Sequence, residues 1–550
     1  MASPQSPNSS VDSAAAAGSR LILLTLAAAQ FLMILDSSVM NVSMAQVASD
    51  LGTTITGIQT AITLYTLVMA SLMITGGKLG SILGRRRALG IGLVIYGIGS
   101  FTTALAPNLA VLLIGWSLLE GMGAALILPA IVALVASNVP AQGRAAAYGM
   151  IAAAGGMAVA AGPLIGGAVT TFASWRYVFA GEVVIVAAIL LMLRKIQDVE
   201  TTPSRLDLVG SALSIVGLSM VVFGVLRSSE WGWIRPKPDG PEILGASPVI
   251  WLIVGGLLVL YGFLQWQNHL VAVVREPLVD PAIFGNQQMT GGLVMFFFQF
   301  IVQAGVFFAV PLFLSVALGL SALETGVRIF PLSVTLLIAA AGIPRVWPRA
   351  NPRLVVRAGL VPMLIGILML VGGMDPGTNA AVVAIPMLLL GLGLGALASQ
   401  LGAVTVSAVP DEQAPEVGGL QNTVTNLGIS LGTALVGSVL IATLSSAALV
   451  GIQNNPDVPD SVETQVTTQI SSGISFISDA QLDEALTEAG VDQATADEIT
   501  AVNADARLQA LQAAFAVAAV LTALAFFFTG RLPTRAPGSE ESSRGETVST

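Results

Sequence analysis

Fourteen apolar stretches, each close to the ~20 residues a helix needs to cross a hydrocarbon core, recur along the 550 residues of the chain. They fall near 21–44, 57–77, 88–106, 110–136, 145–170, 175–194, 207–226, 248–268, 289–316, 325–343, 354–374, 378–402, 417–445 and 508–529. Polar residues and prolines interrupt the windows between 289 and 343 most. Charged residues make up only 10% of the chain, where a soluble globule carries roughly 25%. That is too few to coat a folded chain of this size, so the excess apolar surface must face lipid. The expected class is an all-α polytopic membrane protein with 14 transmembrane helices.

The chain holds no cysteine, which excludes disulfides, thiol chemistry and Cys-based metal sites. The one histidine, His269, cannot build a metal site alone and reads as an interfacial residue beside "QWQN". No metal and no cofactor is expected. Residues 1–19 are rich in Ser and Ala with no basic cluster before Arg20, unlike a cleaved signal peptide. They read as a disordered cytoplasmic tail.

The net charge of −9 is local. Residues 452–506 contain eleven Asp or Glu and no Lys or Arg, which leaves 23 basic against 21 acidic residues elsewhere. The acidity thus belongs to one loop and says nothing about nucleic acid. Basic residues favour the cytoplasmic side of a membrane. With the N-terminus inside, seventeen of the 23 lie on cytoplasmic segments and six (Arg176, Arg227, Arg235, Lys237, Arg328, Arg507) elsewhere. Both termini are therefore expected in the cytoplasm of a multi-pass cell-membrane protein, with the 452–506 loop outside.

The basic link "GGKLGSILGRRRALG" after the second stretch has a basic counterpart, "PRVWPRANPRLVVR", after the tenth. Setting spans 1–6 against 9–14 gives two six-helix halves with spans 7 and 8 inserted, a transporter pattern with binding at the interface of the repeats. The expected organisation is tail 1–19, N-terminal half 20–200, inserted pair 201–275, C-terminal half 276–530 and tail 531–550.

Several fragments resemble the major facilitator superfamily, and within it the fourteen-span drug:proton antiporter family. "LDSSVMNVSM" (35–44) is similar to the family's first-span signature, "GGKLGSILGRRR" (76–87) to its loop between spans 2 and 3, and "GMAVAAGPLIGG" (156–167) to its span-5 antiporter signature. "SWRYVF" (174–179) resembles the following link and "REPLVDPAIF" (275–284) the entry to the second half. The resemblance implies a major facilitator fold and proton-coupled export of small amphipathic or cationic compounds. Two positions depart from the pattern. Ser81 stands where the loop usually has an acid, and in "WSLLEGMGAA" (116–125) Ser117 stands where span 4 usually has an arginine. Glu120 takes the place of a glutamine three residues later. The usual coupling scheme therefore does not transfer unchanged.

Three acids, Asp36, Glu120 and Glu182, sit inside apolar stretches, where a charge costs at least ~2.5–3.5 kcal/mol to insert. At ~1.5 Å per residue all three fall between the midplane and the extracytoplasmic face. A carboxyl in low dielectric favours its neutral form, so these three are the expected proton-coupling residues; a hydrogen bond to a neighbouring helix would also explain each. Ala158, Gly162 and Gly166 recur every four residues, giving a helix face that lets neighbours approach closely, and Pro163 tends to bend the helix. With Gly167, they read as a gating or packing element. Gly77, Gly84, Arg85 and Arg86 read as a topology signal and a candidate cytoplasmic latch. Asn41, Gln299, Gln303, Asn422 and Asn426 are candidate cavity linings; the last four form two pairs at a spacing of four, hence on shared helix faces. Gly391 and Gly395 read as packing. The 452–506 loop reads as a solvated, partly ordered face or a cap.

No Walker-type sequence and no catalytic constellation is visible, so neither ATP drive nor an enzyme is indicated. The expected partners are a small-molecule substrate, protons and the bilayer, with no nucleic acid and a monomeric chain. Two rival readings stay open: a transporter of one specific solute such as a lipid or siderophore, and a non-transporting receptor or scaffold built on a transporter fold.

Overall fold

The computed structural model describes residues 9–535 except 140, 195, 197–205, 238–239, 276, 348, 375–378, 410–413, 456–475 and 489–490. Fourteen of its helices are long and apolar enough to cross a membrane. They are α1 (Ser9–Asp50), α2 (Ile55–Leu83), α3 (Arg85–Ala104), α4 (Leu109–Asn138), α5 (Ala141–Phe172), α6 (Arg176–Leu193), α7 (Leu208–Trp231), α8 (Pro248–Ala272), α9 (Gln287–Ala317), α10 (Ala322–Val346), α11 (Pro352–Gly373), α12 (Ala384–Val406), α13 (Ala414–Gln453) and, after a short α14 (Asp479–Glu488), α15 (Gln493–Phe528). All fourteen expected spans are present. The difference is at the ends: α1 starts at Ser9, inside the stretch expected as a disordered tail. Its run of four alanines at 14–17 has the highest helix propensity of any residue type.

Most helix starts have a local cause. Thr54, Asn108, Asp207, Ser247, Asn286, Asn351 and Asp492 each cap the helix that follows by accepting a free backbone N–H, and Ser321 with Glu324 forms a full capping box. Between α2 and α3 the chain reverses at a single residue, Gly84, whose φ of 96° suits glycine alone.

The two halves meet through two equivalent seams. α2 packs along α13, and α5 packs along α10. With spans 1–6 set against 9–14, α13 stands where α5 does and α10 where α2 does, so each seam joins the second helix of one half to the fifth of the other. The inserted pair α7–α8 leans on the first seam. Thr75 of α2 donates to Ser211 of α7 at 3.1 Å, and Ser438 of α13 donates to the Val225 carbonyl of α7 at 3.2 Å. Gly391 and Gly395 pack as expected, lying against the Leu332 and Leu336 carbonyls of α10.

One end of the bundle is basic and the other acidic. At the acidic end the described part of the 452–506 loop is docked on the bundle. Phe476 is buried in the core, Arg507 of α15 is buried and ion-pairs Asp479, and Asn455 donates to Glu498 at 3.1 Å. Residues 456–475 of that loop lie outside the described set. His269 is exposed in the last turn of α8 against Trp266, which fits an interfacial residue.

Candidate functional site

The three acids come together. One carboxylate oxygen from each of Asp36 (α1), Glu120 (α4) and Glu182 (α6) lies within 4.8 Å of the other two. They are 0%, 0% and 1% exposed, so the site is shut off from both sides of the bundle. Each carboxylate takes neutral donors on one oxygen only. Trp116 Nε1 donates to Asp36 Oδ1 at 2.8 Å, and the Thr103 hydroxyl to Glu120 Oε1 at 3.2 Å. Tyr96 and Ser100 donate to Glu182 Oε2 at 3.2 and 3.1 Å. The remaining oxygens, Asp36 Oδ2, Glu120 Oε2 and Glu182 Oε1, are buried without a partner.

A π-helical segment, Leu113–Glu120, sets this geometry inside α4. Such insertions widen the turn and occur often at functional sites. Here the segment aims Trp116 at Asp36 and brings Glu120 against α3. The close crossing needs glycine. A Cβ on Gly99 would lie 2.6 Å from Glu120 Cγ and 2.8 Å from its backbone nitrogen, and one on Gly115 would lie 2.7 Å from the Thr103 hydroxyl. Ser117, where the family pattern usually has an arginine, donates instead to the Ala61 carbonyl of α2 at 2.8 Å. No cation from α4 therefore reaches the acids. Trp116 stacks on Tyr65 with ring centroids 4.8 Å apart and planes 6° from parallel.

The other expected residues divide. Gly162 and Gly166 face α1, against Ser38 and Val39, and so pack inside the N-terminal half. Gly167 and the Pro163 carbonyl face the other half: a Cβ on Gly167 would lie 2.5 Å from the Ala322 carbonyl, and Gly326 of α10 rests on Pro163. The gating expectation thus separates into two faces of one helix. Arg85 donates to the Ala133 carbonyl at 3.0 Å and Arg86 to the Arg194 carbonyl at 3.5 Å, both within the N-terminal half. Gly77 lies opposite Pro129. Ser81 donates to the Lys78 carbonyl of its own helix.

The polar candidates do not converge on the acids. Asn41, Asn422 and Asn426 each donate to the carbonyl four residues back, at Ser37, Gly418 and Asn422. Gln299 is buried with its carbonyl oxygen unpartnered, and Gln303 is half-buried. None of the five lines the 210 Å³ cavity at the basic end, which lies between α2, α4, α13 and residues 277–279.

A residue with no sequence-based role closes the acidic end. Gln59 of α2 is buried and its amide donates to the Thr433 and Ala434 carbonyls of α13, both at 3.2 Å. Ser430 returns a bond to the Thr63 carbonyl at 3.0 Å. On the second seam Ser333 donates to the Val159 carbonyl at 2.9 Å. Losing the Gln59 bonds should cost about 1–2 kcal/mol, and so raise the population opened at this end roughly tenfold. Because the chain has no cysteine, a single cysteine at Thr63 reports this directly. It should react faster with a thiol reagent in Gln59→Ala than in Gln59; equal rates would show that these bonds do not hold the seam.

Residues 26–433 match the family model described as Major Facilitator Superfamily. The chain belongs to that superfamily. Within the Major Facilitator Superfamily it is similar to the puromycin resistance protein pur8 of Streptomyces alboniger, at 29% identity over 76% of this chain and 81% of that one. It is also similar to the multidrug efflux pump LfrA of Mycolicibacterium smegmatis, at 27% identity over 82% of this chain and 85% of that one. Among solved structures, a bacterial homologue of the human lysosomal transporter Spinster, inward-facing and unoccupied, superposes with a TM-score of 0.60 at 14% identity. That match covers 94% of this chain and 98% of the other. At that identity the likeness establishes the fold.

Proposed function

We propose that this superfamily member exports small amphipathic or cationic compounds across the cell membrane in exchange for protons. The observation that carries the reading is the buried acid triad, which has neutral donors only, in a bundle whose halves close at one end. Two full charges at the triad's spacing repel by about 3–4 kcal/mol at an effective dielectric of ~20, so three bare carboxylates do not persist there together. Protons relieve the repulsion. Opening the acidic end to water and then resealing it loads and unloads them, which biases one packing of the halves over the other. Support for export comes from the similar chains, which are named for puromycin resistance and multidrug efflux.

The basic end is assigned to the cytoplasm, with both termini, from the bias of Lys and Arg. The docked acidic loop then covers the outer end. The state described is sealed outside, and the 210 Å³ cavity faces inward. No covalent chemistry is assigned to the chain: the work is translocation. The test is purified protein in liposomes with an imposed pH gradient and a panel of cationic dyes. Uphill dye movement that follows the gradient is expected. Movement that ignores it overturns proton coupling, and movement of one solute alone favours a dedicated carrier.

A further inference from the structure

Moving one proton needs one carboxyl, yet three converge here. Their partners are arranged so that each gives one oxygen to a neutral donor and keeps one buried and free. A fourth oxygen joins them. The Tyr65 hydroxyl, 1% exposed, makes no well-formed hydrogen bond and faces Asp36 and Glu120. We infer that Asp36, Glu120, Glu182 and the Tyr65 hydroxyl form a binding site for a hard divalent cation of calcium's size.

Size follows from geometry. Any three points mutually within 4.8 Å share a centre no more than about 2.8 Å from each, against Ca²⁺–oxygen bonds of about 2.3–2.6 Å. Side-chain adjustments of a few tenths of an ångström bring all three oxygens to bonding distance. Mg²⁺ demands near-ideal octahedral geometry and gives up its own waters reluctantly, which disfavours it in a site shut off from both sides of the bundle. The ligand set excludes softer choices: it holds carboxylates and a hydroxyl and neither sulfur nor imidazole, the donors that suit thiophilic and nitrogen-seeking metals. Charge agrees too, since a divalent ion and one proton neutralise three carboxylates. The outer shell is also built, with Trp116, Thr103, Tyr96 and Ser100 orienting the three carboxyls in the way that donors around a metal orient its ligands. Protons and the ion then compete for the same oxygens. Besides the three acids, Tyr65 and Tyr96 are the titratable groups that face the site from the surrounding helices.

The sequence hides such a site from a search for cysteine and histidine, because its ligands come from four helices and are separated by 29 residues or more. The inference uses the triad of the proposed proton pathway but does not depend on proton-driven export being correct.

The experiment uses the full chain in detergent, cleared with chelator, and Tb³⁺ as the luminescent calcium mimic. Tyr65 is a ligand and Trp116 touches another, so excitation of these rings should sensitise a bound Tb³⁺. Residues 452–506, also acidic, contain no Trp or Tyr of their own, and the variants below separate an ion held there from one at the triad. Sensitised emission that Ca²⁺ competes away, and that falls as pH is lowered, is expected. Tyr96→Phe removes the hydroxyl that orients Glu182 and should weaken binding about 10–100-fold. The combination D36N/E120Q/E182Q should abolish the signal, and the weakening in Tyr96→Phe gives the same answer should that variant not fold. Emission without Ca²⁺ competition, or emission retained in a folded triple variant, overturns the site. Gradient-driven export in EGTA from a protein that fails to bind Ca²⁺ overturns the ion site and leaves proton coupling standing. Ca²⁺ binding without gradient-driven export does the reverse.

Discussion

Asp36→Asn should collapse the substrate gradient that the protein sustains in liposomes to unity. For an uncharged substrate exchanged one for one with protons, the unit charge that crosses 100 mV is worth about 2.3 kcal/mol, so a coupled exporter holds a gradient of roughly fiftyfold under that drive; an amide carries no exchangeable acid proton and holds none. The fold should survive, because the amide carbonyl can still accept the Trp116 indole N–H that reaches Asp36 at 2.8 Å. Substrate moving down its own gradient should therefore still pass. Glu120→Gln and Glu182→Gln remove neighbours of the same cluster. Groups that act as a unit are not additive, so the triple variant should be no worse than Asp36→Asn alone. A full fiftyfold gradient from Asp36→Asn would end the case for this acid as the coupling group.

The architecture was legible in the sequence because lipid imposes a strict condition. Every spanning segment must satisfy its own backbone and present apolar side chains, so hydropathy alone finds fourteen helices. That the three acids share one level was legible too, since rise per residue converts position into distance. That Asp36, Glu120 and Glu182 meet was not, because depth leaves the rotation of each helix free. The π segment of α4 fixes that rotation, and nothing in "LIGWSLLE" announces a widened turn. Trp116 and Tyr65 were missed because aromatic residues in an apolar span usually pack. Their stack shows its purpose only once Asp36 is seen at the indole nitrogen. Gln59 had a weak signal, one amide in the otherwise small and apolar run "ITGIQTAITL".

The glycines teach the same lesson. The "AAGPLIGG" stretch reads as one smooth surface, yet its residues serve two neighbours. Gly162 and Gly166 press against α1 within a half, while Gly167 and Pro163 meet α10 across the seam. A spacing of four identifies a face; it does not say which helix lies against it. The consequence is that substitutions one residue apart on α5 should have different effects, one on the fold of a half and one on the closing of the bundle.

Gly326 offers the sharpest case of the second kind. It lies on α10 directly against the backbone of Pro163, and a Cβ there would come within 2.7 Å of the Pro163 carbonyl carbon. Real Cβ contacts are not that short, and the obstacle is main chain, which cannot swing aside as a side-chain tip can. In a close-packed interior even one added carbon forces a shift, and overpacking costs about 1–3 kcal/mol. Because the clash is between halves, that cost falls on the closed state only, and Gly326→Leu should hold the acidic end open. A cysteine at Ser430, buried on the other seam, reads the change at a distance, since the halves move as bodies. Its labelling should rise at least about fivefold, as 1.4 kcal/mol is a tenfold change in population. Export should fall together with it, while the helix content of the protein stays unchanged. Unchanged labelling at Ser430 with export intact would mean that α5 and α10 need not touch, and that the seams are packing rather than a gate.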